Sequence, residues 1–159
     1  MRNLPKPTDD TPSMQDLLAA FEHLDDDSTR RWGTMSPAQM ARHCRVFCEL
    51  CLGQVPVAAP IRWLARLLGP WFLRRLLAKS PAQAPKNLTT LAPLRADPTT
   101  ELELDEEKAR LVSALDAIAA LAGDHRHPLY GSMRAIDVQS VVRHHTTHHC
   151  NQFGLLIEA

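Results

Sequence analysis

Apolar side chains recur along the chain at spacings of three and four, and no run alternates Val, Ile or Thr, so the pattern predicts helices and no strands. Ser13 and Asp16 can cap a first helix, Met14 to Asp25, with Leu17, Leu18, Phe21 and Leu24 as its inward stripe. Ser36-Pro37-Ala38-Gln39 is a stronger start signal. It places a hydroxyl at the cap, a proline where a missing N–H costs nothing, and an amide three residues on to close a capping box. That second helix should run to Leu52 and stop at Gly53. The stretch IRWLARLLGPWFLRRLLAKS is amphipathic and basic, and its Gly69-Pro70 interruption predicts two short helices with a kink.

Residues 80–100, rich in Pro, Thr and Ala, predict a long surface connection. Asp105 is the expected cap of a helix from Glu106 to Leu121, with Leu111, Leu115, Ile118 and Leu121 inward and Gly123 as its stop. A last helix runs from Ala135 to Phe153 and ends at Gly154. Residues 1–12, with three prolines, read as a loose lead-in. The whole, 1–159, predicts one all-α domain of four principal helices, with extra short helices in the crossover.

Charge adds mainly exclusions. Eighteen Lys and Arg balance eighteen Asp and Glu, which gives no reason to expect a nucleic-acid partner. No stretch approaches the roughly 20 apolar residues of a membrane span, and the N-terminus has no apolar export core, so a cytoplasmic protein is expected. Arg62, Arg66, Arg74, Arg75 and Lys79 read as the solvated face of the kinked region in preference to a membrane-surface patch. Trp63, Leu67, Trp71 and Phe72 are more apolar surface than a small bundle can bury, which makes them a candidate homodimer surface. Cys44, Cys48 and Cys51 share one helix at spacings unsuited to disulfides and, with Cys150, read as reduced core thiols.

The candidate chemistry lies in Arg143-His144-His145-Thr146-Thr147-His148-His149. Histidines four apart on a helix reach the same ion from adjacent turns, and both His144/His148 and His145/His149 have that spacing. The stripe Val138, Val141, Val142, His145, His149, Gln152, Phe153 selects the second pair as inward and leaves His144 and His148 as solvated or supporting groups. His43 shares a stripe with Met40, Phe47 and Leu50 and is the expected third ligand, ahead of His23, His125 and His127. A single inward histidine is ordinarily a hydrogen-bonded core residue. Two of them one turn apart are costly to bury unless paired or metallated. Imidazole donors suit a divalent ion, Zn or Ni first, with a position left open.

Trp32-Gly33-Thr34-Met35-Ser36-Pro37-Ala38-Gln39-Met40-Ala41-Arg42-His43 resembles the start of the second helix in a DinB/YfiT-like branch of unknown function. His127-Pro128-Leu129-Tyr130-Gly131 and the closing His145, His148, His149, Gln152, Phe153 and Gly154 resemble that branch's HP-aromatic-x-G and HxxHHxxQFG elements, although Leu129 separates the proline from Tyr130. The last helix of that branch usually opens with a capping hydroxyl and a buried tryptophan, where this chain has Arg134 and Val138. The resemblance implies an antiparallel four-helix bundle with up-down-down-up connectivity, a metal triad at His43, His145 and His149, and often a homodimer. Related branches use low-molecular-weight thiols.

The expected function is therefore metal-dependent activation of a thiol or water toward a small electrophilic substrate, with Gln152 orienting a bound cofactor or a ligand histidine. The alternative is a metal- or ligand-binding module without turnover. No Ser/His/Asp set, phosphate-cradling glycine loop or spaced pair of inward carboxylates supports another reaction class.

Overall fold

The computed structural model describes residues 4, 5, 8, 10–87, 91–95 and 100–156. It contains helices α1 (Met14–Glu22), α2 (Pro37–Cys51), α3 (Ala59–Leu77), α4 (Leu104–Ala119) and α5 (Ala135–Phe153), with 3-10 turns at Pro81–Gln83 and Ala92–Leu94. Strands β1 (Asp124–His127) and β2 (Gly131–Arg134) form an antiparallel hairpin, with Asp124 opposite Arg134 and His127 opposite Gly131. The fold is thus mostly helical with a small sheet, and the hairpin corrects the expectation of no strands. Four-residue strands are too short to show alternation, and Gly131, at φ +79°, supplies the turn's left-handed residue.

Both capping boxes form as the residues dictate. Ser13 accepts from the Asp16 N–H and Ser36 from the Gln39 N–H, while each partner side chain returns to the cap backbone. The first helix stops at Glu22, three residues short of the expected end, and Gly53 and Gly154 end α2 and α5 with φ of +83° and +65°. Helix α4 begins at Leu104, so Asp105 lies inside its first turn and Glu103 holds the cap position without a side-chain bond. Asp105, Glu106 and Glu107 there compensate by facing the positive end of the helix dipole. Arg134 caps α5 without a side-chain bond and instead pairs at 2.8 Å with Asp137 in the first turn.

Helix α3 is continuous through Pro70, which corrects the expected two short helices. The proline removes one hydrogen bond, the one to the carbonyl of residue 66, and the helix runs on through it. Gly69 has a packing role: a Cβ there would come within 2.3 Å of the Tyr130 ring. Leu73 and Leu77 anchor the same side of α3 in the core.

Helix α2 packs on α4 and α5, and α1 also contacts both. Leu17, Phe21, Met40, Leu111, Leu115 and Val142 fill the space between them. Arg45 ties α2 to α4 through a 2.7 Å contact with buried Glu107. The lead-in is less loose than expected where it is described: Leu4 is buried, and the Arg143 guanidinium donates to the carbonyls of Thr11 and Pro12. Residues 1–3, 6, 7 and 9 of that segment, and 88–90 and 96–99 of the crossover, lie outside the described residues. Among the described residues no helix is long and apolar enough to cross a membrane.

Candidate metal centre

The α2 capping box fixes the helix that carries His43, and α5, buried on nearly every side, carries His145 and His149. The ligand-capable nitrogens of these three histidines lie within 4.8 Å of one another. His43 Nε2 and His145 Nε2 are 3.1 Å apart. The rings of His145 and His149 meet edge to face, with centroids 4.7 Å apart.

Hydrogen bonds around the cluster settle which nitrogens are free. His43 Nδ1 is 2.8 Å from the Leu94 carbonyl, which can only accept, so Nδ1 carries the proton and the neutral ring presents the Nε2 lone pair. Gln152 does the same for His149 in two steps. Its Nε2 donates to the Trp32 carbonyl at 2.8 Å, which turns Oε1 toward His149 Nδ1, also at 2.8 Å. His149 Nδ1 is therefore the donor, and Nε2 remains for the cluster. Gly33 is required behind this amide: its φ is +80°, and a Cβ would lie 2.6 Å from Gln152 Nε2.

His145 differs. Its Nδ1 is buried with no partner, and its ring stacks on Phe47 with centroids 3.8 Å apart. Its orientation comes from apolar packing and from the neighbouring imidazoles.

Burial is the main cause that keeps all three rings neutral. It pushes His149 down to about 3, with the neighbouring His43 adding to the shift, and holds His145 well below the usual range, with His149 and His43 adding. His43 is also lowered by burial, against an opposing contribution from its bond to Leu94. For His43 and His149, neutral imidazoles with aimed lone pairs are the protonation state that metal ligation requires, and His145 Nε2, which donates to His43 Nε2 across 3.1 Å, would exchange that proton for an ion.

The other histidines take structural places. His144, expected to be solvated or supporting, is buried and donates to the Lys79 carbonyl at 3.2 Å; His148 donates to Pro81 at the same distance. Both tie the end of α3 and the turn after it to α5. Trp32 packs against His148, and Lys86 Nζ sits 4.3 Å over the Trp32 ring. His125 donates to the Cys51 carbonyl, and His127 accepts at Nδ1 from the N–H groups of Leu129 and Tyr130. Exposed His23 is the C-cap of α1.

All four cysteines are free and buried. Burial pushes Cys48 and Cys150 up to about 12 and Cys44 and Cys51 well above the ordinary thiol value. They are poor nucleophiles where they stand.

Sequence reasoning missed the Leu94 and Trp32 carbonyls, because any residue type supplies a carbonyl. A family model described as a protein of unknown function, DUF1569, matches residues 9–154. No curated protein and no solved structure matches the chain.

Proposed function

The chain belongs to the DUF1569 family, whose function is unknown, and from the site itself we propose a metal-dependent enzyme in which His43, His145 and His149 hold one divalent ion, Zn or Ni. The observation that carries this reading is the pair of committed Nδ1 protons, on His43 toward Leu94 and on His149 toward Gln152, which leaves two neutral Nε2 donors in a cluster with His145. A core that needed only hydrogen-bonded histidines would not have to bring three of them together.

When bound, a divalent ion held by three neutral imidazoles keeps its double charge and lowers the pKa of a thiol or water at its remaining position. The protein's own part is to hold the rings. Leu94 fixes His43, Gln152 fixes His149, and Phe47 sets the plane of His145. Gln152 thus acts as a positioning residue, since both ends of its amide are engaged within the chain. The electrophilic substrate is small, and the thiol comes from solution because the chain's own thiols are held protonated by burial. The packing of α1, α2, α4 and α5, with the triad on α2 and α5, supports the DinB/YfiT-like four-helix arrangement implied by the sequence resemblance.

The test is metal analysis of protein purified without an affinity tag, followed by turnover of a model electrophile with several small thiols. About one ion per chain is expected, with turnover lost in His43→Ala and kept in single alanine variants of Cys44, Cys48, Cys51 and Cys150. Equal metal affinity in wild type and His149→Ala overturns the site. Metal binding without turnover above the uncatalysed rate makes the protein a binding module.

A further inference from the structure

Helix α3 lies against the body through Gly69, Leu73 and Leu77, and the opposite side of the helix is apolar. Trp63, Leu64, Leu67, Leu68, Trp71 and Phe72 are all exposed there, Trp63 at 70% and Trp71 at 66%. Single exposed apolar residues are ordinary, but six large ones on one helix exceed what a monomer usually leaves in water.

Charge distinguishes the possible covers. The chain as a whole is balanced, yet α3 and the two residues after it carry Arg62, Arg66, Arg74, Arg75 and Lys79 and no acidic residue. Each of these cations is exposed. Two copies of α3 paired about a two-fold axis would bring like charges together without an opposite charge on either helix. An anionic lipid surface supplies the missing sign and takes up the apolar side chains, and tryptophan is the residue suited to the headgroup boundary. Arg75 already lies 5.8 Å from the centre of the Trp71 ring, an amphipathic pair suited to that depth.

We propose that the outward face of α3 docks on an anionic phospholipid surface, with Trp63 and Trp71 inserted at the headgroup level and Arg74, Arg75 and Lys79, which flank that face, on lipid phosphates; Arg62 and Arg66 lie on the side of the helix that carries Gly69 and Leu73 and stay off the surface. The helix lies in the interface and does not span it. This reading competes with the homodimer expected for the same apolar residues, and for the cations it takes up the membrane-surface alternative that the sequence pattern ranked second to a solvated face. Each cation near such a surface raises partitioning roughly fivefold, a contribution that salt weakens.

Flotation of the full chain with vesicles of phosphatidylcholine alone, and with about one-third phosphatidylglycerol added, tests the proposal. The mixed vesicles should bind at least about tenfold more tightly, with the difference shrinking at high salt. Trp63→Ser/Trp71→Ser and Arg74→Glu/Arg75→Glu, at exposed positions outside the core, should each lose that binding while retaining cooperative unfolding. Failure of the wild type to float at low salt, equal binding to neutral vesicles, or undiminished binding by both variants overturns the proposal. A dimer that Trp63→Ser/Trp71→Ser dissolves, with no flotation, assigns the face to a second copy and also overturns it.

Discussion

Helices α5 and α3 have the same length, 19 residues, and treat polarity in opposite ways. Along α5 the chain buries His144, Thr146, Thr147, His149 and Gln152; along α3 it leaves Trp63, Leu67, Trp71 and Phe72 in water. Each departs from the usual distribution, and each carries a cost that folding alone does not require. On α5 part of the cost is offset from inside: His144, His149 and Gln152 are each hydrogen-bonded within the chain and His149 joins the metal-capable cluster, while the Thr146 and Thr147 hydroxyls stay buried without a partner. On α3 the fold provides no such offset, and the compensation proposed for it is an anionic lipid surface. Buried polarity is thus interpretable from geometry in the structure, whereas exposed apolarity is interpretable only through what else shares its surface.

The largest expected effect concerns the interior. Zinc or nickel at about a thousandfold above its dissociation constant should raise the unfolding free energy of the wild type by about 4 kcal/mol, and His149→Ala should lose this response. Denaturant titration with and without the ion measures it. An equal shift in both proteins would separate the buried histidines of α5 from metal binding.

Next in size is a pH effect at a buried histidine outside the triad. Burial, with His125 nearby, pushes His127 down to about 4, whereas the unfolded residue titrates near its ordinary value of about 6.5. Between these values the unfolded chain takes up the proton and the folded chain does not. Stability is therefore complete above about pH 6.5 and falls as pH drops toward 4, by about 3 kcal/mol from this residue. His127→Asn keeps an acceptor for the two backbone N–H groups but cannot titrate. Its unfolding free energy should fall less steeply across that window, and an unchanged slope would remove His127 as the cause.

The smallest effect sharpens the comparison most. Gln152→Leu should weaken zinc binding about 10–100-fold by releasing His149 and leaving the Trp32 carbonyl unpaired. Calorimetric titration with zinc measures this, and in it Trp63→Ser/Trp71→Ser should bind as the wild type does. If Gln152→Leu binds normally, the amide does not position the site; if the α3 variant binds poorly, the two regions are coupled.

The triad was legible because helical spacing converts directly into direction. His145 and His149 lie four apart on a stripe continued by Val138, Val141 and Val142, and the capping box at Ser36 set the phase of the helix that carries His43. The same reasoning misplaced His144, which lies off that stripe but is buried because α5 meets elements on several sides. Gly69-Pro70 read locally as a break, yet packing of Leu73 and Leu77 on the core and of Tyr130 against Gly69 keeps α3 in one piece. The hairpin was missed for the converse reason: its strands pair through backbone groups, which the residue pattern does not display.

By itself the sequence determined the local features: both capping boxes, the glycine stops at Gly53 and Gly154, the core stripes and the identity of the three histidines, whereas α4 ends at Ala119, ahead of the expected stop at Gly123. These depend on contacts within a few residues, where side-chain chemistry and helical geometry leave little choice. Tertiary structure alone decided the rest. It brought the Leu94 carbonyl, 51 positions away, to His43, and the Trp32 carbonyl, 120 positions away, to Gln152, and so selected the free nitrogens of His43 and His149. It also turned the apolar side of α3 outward. Backbone carbonyls are the same at every residue, and which side of a helix meets solvent depends on what else packs against it, so neither is written in the order of the side chains.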